Sequence, residues 1–223
     1  MDSISFVLRT LYALLYHQFA WSYDFVAALV SLGRWNAWVQ TALPHLEGRV
    51  LELGFGPGHL QSRMFERGLQ SFGVDESRQM TQQARRRLRK LGFSPNLTRG
   101  HAQYLSFPIA SFNSVVATFP AEYIFEPQAI NEIRRVLIPG GRLVVLPMAW
   151  IIGSKPLERL AAGLFRVTGE AVALERIIPA VEGRLAAGGF QVRHETVEFP
   201  GSKVLVVVAE KPYRHIHRNV KAG

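Results

Sequence analysis

The sequence predicts a doubly wound α/β fold: seven short strands alternating with helices, the last strand antiparallel to the others. Three observations carry this. Segments such as "RVLELG", "NSVVATF" and "KVLVVVAEK" are apolar almost without interruption, as strands covered on both faces must be. Between the earlier strands lie stretches with helical spacing of apolar residues. The last two strands are joined only by "PGS", residues 200–202. Parallel neighbours need a crossover of a dozen or more residues, so the final strand has to run antiparallel to its partner.

The elements follow in order. A short buried strand over "RVLELG" leads to a helix over 59–68, and "QSFGVD" is a second strand ending at Asp75. Ser77 caps the next helix, with Met80, Ala84, Leu88 and Leu91 as its apolar face. Arg85, Arg86, Arg87, Arg89 and Lys90 fall mostly on its other side. "NLTRG" and "NSVVATF" are the third and fourth strands. A helix over 127–137 turns Ile130, Ile133 and Leu137 inward, and "PGG" at 139–141 turns the chain into a fifth strand, "RLVVLP". One or two helices fall between 156 and 187, ended by Gly188 and Gly189. "FQVRHETVEF" and "KVLVVVAEK" close the sheet. The organisation is then an N-terminal helical cap or lid over 1–45, a main domain over 46–212 and a basic tail over 213–223.

The 223 residues are 48% hydrophobic and 19% charged, a globular composition. The absence of cysteine excludes disulfides, thiolate chemistry and Cys-built zinc sites, and fits a reducing cytosol. No metal site is expected. The 26 basic residues exceed the 17 acidic ones by nine, a balance that favours anionic partners or simply solvates the surface. Near the N-terminus Ile4, Leu8, Leu11, Leu15 and Phe19 recur at helical spacing. The unbroken apolar run there is far short of the ~20 residues of a spanning helix, and no signal-peptide pattern is seen. The amphipathic face can pack on the core, cover a pocket or touch a membrane. The expectation is a cytoplasmic protein with peripheral contact to membrane surfaces.

The stretch "VLELGFGPGHL" sets three glycines directly after the first strand. In such folds ligands sit beyond the carboxyl ends of the strands. Gly54, Gly56 and Gly58 let the backbone approach a ligand closely, and the following helix presents its N-terminus there. Asp75, 21 residues after Gly54, can accept hydrogen bonds from both hydroxyls of a ribose. Glu52 can serve an ammonium, directly or through water. A dinucleotide site prefers G-x-G-x-x-G. Here the spacing is G-x-G-x-G, with His59 at the expected third glycine.

At these residues the chain resembles the class I S-adenosylmethionine-dependent methyltransferases, whose fold is Rossmann-like. "LELGFGPGH" and "GVDESRQM" resemble their first two motifs, "GHAQYLSFPIASFNSVVATF" the third and fourth, and "EIRRVLIPGGRLVVL" the segment that follows. The likeness covers roughly 49–148. It is nearest to the branch of ubiquinone/menaquinone and phospholipid methyltransferases, in which "YD" and a helical segment precede the first motif, as Tyr23 and Asp24 do here.

The resemblance implies S-adenosyl-L-methionine as cofactor. The loop of Gly54, Phe55, Gly56, Gly58 and His59, with Glu52, would hold its methionine part. Asp75 and Glu76 would lie at the ribose, Met80, His101, Ala102 and Gln103 at the adenine, and Tyr23, Thr118, Phe119 and Pro120 around the sulfonium. Three departures stand out: His101 where the family often has Asp, Asn113 where Asp is usual, and Phe55 where a small residue is common. The bulk of Phe55 is expected to narrow the site.

The acceptor implied is a hydrophobic small molecule, lipid or quinone-like. Tyr16, Trp21, Glu122, Tyr123 and Trp150 are candidates to contact it. No catalytic residue is assigned. His17, His59, His101 and Glu122 are the candidates for a base, should the acceptor atom have to lose a proton. Two readings from other classes stay open: a regulatory or scaffold protein that binds the cofactor without turnover, and a nucleic-acid methyltransferase. The latter is disfavoured because "TFPAEY" stands where exocyclic-amine enzymes carry Asn/Asp-Pro-Pro-aromatic.

Overall fold

The computed structural model describes residues 33–152 and 174–213. Most of the expected cap, part of the segment before the last helix and nearly all of the basic tail lie outside the described residues. The seven strands are β1 (Arg49–Leu53), β2 (Gln70–Asp75), β3 (Asn96–Arg99), β4 (Phe112–Thr118), β5 (Leu137–Ile151), β6 (Gln191–Phe199) and β7 (Ser202–Glu210). They form one sheet in the order β3-β2-β1-β4-β5-β7-β6. All described pairings are parallel except those of β7, which runs antiparallel to both β5 and β6.

Five α-helices are described: α1 (Trp35–Val39), α2 (His59–Glu66), α3 (Arg78–Lys90), α4 (Pro127–Val136) and α5 (Leu174–Ala187). Alternate residues of each strand point to opposite faces, and both faces are covered. Leu51, Leu53, Val115, Val145 and Val207 pack with α4 and α5 on one side. Val50, Val116, Val144 and Val206 pack with Leu60 and Met64 of α2 on the other. On that second side Trp38, Ala42 and Leu43 are also buried, and the Trp38 indole N–H donates to Ser202 Oγ at 3.1 Å. Of the cap expected over 1–45, the described part, α1 and the 3₁₀ turn Gln40–His45, packs in the layer that covers the sheet.

Three local expectations are revised. Leu91 ends α3 and is 51% exposed, because the apolar stripe closes at Leu88. Leu137 does not end α4 but begins β5, opposite Phe112. "PGG" does not lie outside the sheet. β5 runs through it as an irregularity, with the register shifting between Phe112 and Ser114 and Gly140 at φ +77°. The Gly140 N–H donates to Lys211 O and the Lys211 N–H to Gly141 O, both at 2.8 Å, so β7 keeps the bulge paired.

Candidate functional site

β1 and β4 are neighbours, and the chain leaves them toward opposite edges of the sheet, β2 and β3 on one side and β5 to β7 on the other. A crevice opens at the carboxyl ends of strands at such a switch in order. Here it is a cavity of about 560 Å³ lined by the ends of β1, β2, β3 and β4.

Each glycine of the loop after β1 has positive φ, but the three serve different ends. A Cβ at Gly54 would lie 2.8 Å from the Tyr123 hydroxyl, so this glycine lets Tyr123 lie against the loop. A Cβ at Gly56 would meet nothing within 4 Å, because its position opens onto the cavity. A Cβ at Gly58 would lie 2.9 Å from Ala84 Cβ, so Gly58 permits the close approach of α2 and α3.

Asp75 braces this loop. Asp75 is 9% exposed, and its carboxylate accepts the Gly56 N–H at Oδ2 and the Ser77 N–H at Oδ1, each at 2.8 Å. Burial raises its pKa, and these two N–H groups oppose the rise. Each oxygen keeps a lone pair for a further donor from the cavity. Ser77 then caps α3 by accepting the Met80 N–H at 3.2 Å. One carboxylate thus ties the glycine loop, the end of β2 and the start of α3 together.

The third wall is the connection between β3 and β4, in which no helix is described. Arg135 of α4 holds it in place. Its guanidinium donates to Phe107 O at 2.7 Å and Leu105 O at 2.8 Å, and grips both oxygens of Glu132 at 2.7 and 2.8 Å. Glu132 in turn accepts the Leu105 N–H at 2.8 Å. The hydrogen bonds from Arg135 hold the Glu132 carboxyl below its ordinary pKa. Gln103 donates to Glu126 at 2.9 Å. This network places Ala102 and Gln103 against the cavity, with His101 at its rim 3.4 Å from Glu76.

Beyond β4 the lining is Thr118, Phe119, Pro120, Ala121 and Tyr123. Phe119 has φ +49°, rare for a side chain of its size. The surroundings hold it there: its N–H donates to Leu146 O at 2.8 Å, and its ring packs 4.6 Å from Trp35 and 6.3 Å from Trp38.

Of the residues singled out in the sequence, Gly54, Gly56, Asp75, Glu76 and Met80 line the cavity, as do His101, Ala102 and Gln103 and the group from Thr118 to Pro120 with Tyr123. Glu52, Phe55, Gly58, His59, Glu122 and Trp150 do not. Phe55 is 3% exposed and packs with Ala84, Leu88 and Leu97 beneath α3, so the expectation that it narrows the cavity is corrected. His59 opens α2, Glu122 is exposed on a 3₁₀ turn, and Trp150 packs on the α4–α5 side of the core. Tyr16, His17, Trp21 and Tyr23 lie outside the described residues. Sequence reasoning missed Leu53 and Val74 on the cavity floor, Ser77, Arg78 and Gln79 at the start of α3, and Arg99 and Gly100 at the end of β3. Their signal was position alone, within a few residues of a strand's carboxyl end. Among the described residues no cluster of three or more His, Asp or Glu side chains could hold a metal ion. No described helix is long and apolar enough to cross a membrane.

Glu52 sits behind the loop in a buried polar network. It is 1% exposed and accepts from the Gln61 amide at 2.9 Å; that amide also donates to Phe72 O, and Ser71 Oγ donates to Gln61 Oε1. Burial pushes the Glu52 pKa up to about 8, and nearby Asp75 adds to the rise against the Gln61 hydrogen bond. Between the ordinary value of 4.5 and about 8 the folded chain keeps a proton that the unfolded chain releases. Stability contributed by this group is whole below that window and falls as pH rises through it. Glu52→Gln keeps the acceptor and removes the titration. Denaturant unfolding at pH 5 and pH 8 is expected to show the native chain losing at least about 2 kcal/mol more than the variant, at ~1.4 kcal/mol per pKa unit. Parallel pH profiles would mean that Glu52 is ionised in the fold.

A family profile described as a methyltransferase domain matches residues 51–145. The chain is 31% identical over 212 residues to a demethylmenaquinone methyltransferase of Thermus thermophilus, covering 83% of this chain and 95% of that one. A phosphatidylethanolamine N-methyltransferase of Cereibacter sphaeroides is 34% identical over 102 residues, 44% of this chain and 50% of the relative. Among solved structures, phosphoethanolamine N-methyltransferase 2 of Haemonchus contortus with S-adenosyl-L-methionine superposes with a TM-score of 0.57 at 19% identity. That match covers 81% of this chain, which spans about half of the longer Haemonchus protein, 53%. With the antiparallel β7, the glycine loop tied to Asp75 beside a cavity at the switch point, and a relative matched over nearly its whole length, the chain belongs to the class I S-adenosylmethionine-dependent methyltransferases.

Proposed function

We propose that the acceptor is a hydrophobic small molecule, with a quinone-like compound as first choice and a phospholipid amine as second. The observation that carries this is the apolar end of the cavity beyond β4, where Phe119, packed on Trp35 and Trp38, lies beside Pro120 and Tyr123. Pockets for such ligands are mostly apolar with a few placed polar groups, and Thr118 and Tyr123 bring hydroxyl-bearing side chains to this lining. Relatives named for demethylmenaquinone and phosphatidylethanolamine support both choices.

The residues present fit the cofactor. Gly54 and Gly56 offer bare backbone to its methionine part, and a Cβ at Gly56 would stand in open cavity. Asp75 would offer acceptors to the ribose hydroxyls, and Met80, Ala102 and Gln103, which line the cavity, would border the adenine. When bound, the cofactor supplies a methyl group already activated on a sulfonium. The chain then has to hold an acceptor atom in line with that methyl and keep water away, tasks we assign to Thr118, Phe119 and Pro120. In this reading His59, His101 and Glu122 take no part as bases. We infer that the cap expected over 1–45 acts at this end, with Tyr16, Trp21 and Tyr23 as its candidates to meet the acceptor and the transfer centre.

A screen of labelled methyl transfer to detergent-solubilised quinol precursors, phosphatidylethanolamine and water-soluble amines tests the acceptor. Turnover is expected with one of the first two. Turnover confined to the soluble amines would show that core packing has been mistaken for an acceptor site. In the same assay a chain lacking residues 1–20 should lose most turnover while its melting temperature moves little. Full activity there would remove the cap.

A further inference from the structure

The positive charge of this chain is unevenly placed. Residues 53–121, the part carrying α2, α3 and the cavity's adenine end, hold nine basic residues against three acidic, a net +6 of the whole chain's +9. α3 alone carries six basic residues and no acidic one. Its buried face is Met80, Thr81, Ala84 and Leu88. Beside that face Arg78, Arg85 and Arg89 follow at spacings of seven and four, with Arg86 farther round, all exposed; Arg85 reaches back to donate to Leu97 O at 2.9 Å. At helical rise the stripe is about 16 Å long. Arg87 faces elsewhere, donating to Pro57 O at 3.0 Å. Arg86 and Arg89 have no acidic partner among the described residues.

The stripe begins at the cavity, since Arg78 and Arg99 both line it. Two acids share that end: Asp75 is turned inward to accept two backbone N–H groups, and Glu76 lies 3.4 Å from His101. Leu91, 51% exposed, directly follows the helix, and Tyr104, 70% exposed, stands in the β3–β4 connection three residues after His101 of the cavity rim. Cations in a row that end in an exposed leucine match a bilayer: phosphates for the arginines, the headgroup–acyl boundary for the leucine.

We propose that the exposed face of α3, from Arg78 to Leu91, docks on anionic lipid bilayer and so brings the cavity rim to the membrane. The purpose of this docking rests on the acceptor reading above; the surface itself does not. Flotation of the full chain with mixed phosphatidylcholine–phosphatidylglycerol vesicles, and with phosphatidylcholine alone, tests it. Binding is expected only to the anionic vesicles and to fade at high salt. Each basic residue near such a surface is worth about fivefold in partitioning. Arg86→Glu with Arg89→Glu is therefore expected to lose at least about tenfold, at unchanged calorimetric affinity for S-adenosylmethionine. Arg184→Glu with Arg193→Glu makes the same change in net charge on exposed positions elsewhere and should lose far less. If the first pair fails to fold, Arg86→Gln with Arg89→Gln replaces it, with the same expected ranking. Equal losses in the two pairs, equal binding to neutral vesicles, or retention on RNA at a salt concentration that releases the vesicles would each overturn the proposal. Turnover of a detergent-solubilised acceptor without vesicle binding would sink the surface alone, and vesicle binding without such turnover would sink the acceptor alone.

Discussion

Asp75→Ala is expected to weaken S-adenosylmethionine binding by well over tenfold while the chain still folds. Two losses combine. The ribose loses a charged acceptor, and a hydrogen bond to a charged group is worth roughly 1.5–3 kcal/mol, about ten- to a hundredfold. The Gly56 and Ser77 N–H groups also lose the carboxylate that holds them at 2.8 Å, so the loop and the start of α3 are no longer ordered before the ligand arrives. Asp75→Asn separates the two, because an amide oxygen can still accept one of these N–H groups; its affinity should fall between native and alanine. The fold should survive because the Asp75 carboxylate is raised in pKa by burial, so its removal also relieves a desolvation cost. Calorimetric titration reads the affinity and thermal melting the fold. Native affinity in the alanine variant would remove Asp75 from the site.

The second large effect is a contrast between two glycines of one loop. Gly56→Val puts a β-branched side chain at φ +52°, in a position open to the cavity. Binding is expected to be abolished, with stability lowered by about 1–3 kcal/mol for the strained backbone. Gly58→Val carries similar strain at φ +84°, but its Cβ would also press on Ala84 at 2.9 Å from Cβ and 3.2 Å from Cα. Ala84 lies on a helix, so α2 and α3 must separate, and overpacking of this kind costs typically ~1–3 kcal/mol more. Gly58→Val should therefore melt several degrees below Gly56→Val. If the melting order were reversed, with binding lost only in the Gly58 variant, the roles assigned to the two glycines would have to be exchanged.

Much of the fold was legible in the sequence because it depends on short-range features. Apolar runs covered on both faces, Ser77 as a cap and a two-residue Pro200–Gly201 link between β6 and β7 are local facts, and the link alone forces the antiparallel β7. The position of Asp75 was equally legible, since a residue that ends a strand next to β1 must come out near the loop that ends β1. The "PGG" bulge was not, because a glycine pair that can turn a chain can also kink a strand. Only the partner, Lys211, some seventy residues later, decides between the two.

Within the site the division is the same. That three glycines follow β1 is sequence; which of them faces ligand space is not. Gly56 opens to the cavity and Gly58 touches Ala84 because α3 packs where Leu88 and Ala84 find Phe55 and Leu97. That packing also turns Phe55 away from the cavity. Glu52 has the spacing of a ligand contact, yet strand alternation sends it to the face where Gln61 and Ser71 lie buried. The grip of Arg135 on residues 105 and 107 joins groups about 30 positions apart, a pairing that no local pattern encodes. Backbone conformation and strand direction follow from neighbours in the chain, and these the sequence determined by itself. Which side chains meet across the cavity follows from how the layers pack around the sheet, and that was decided only in the tertiary structure.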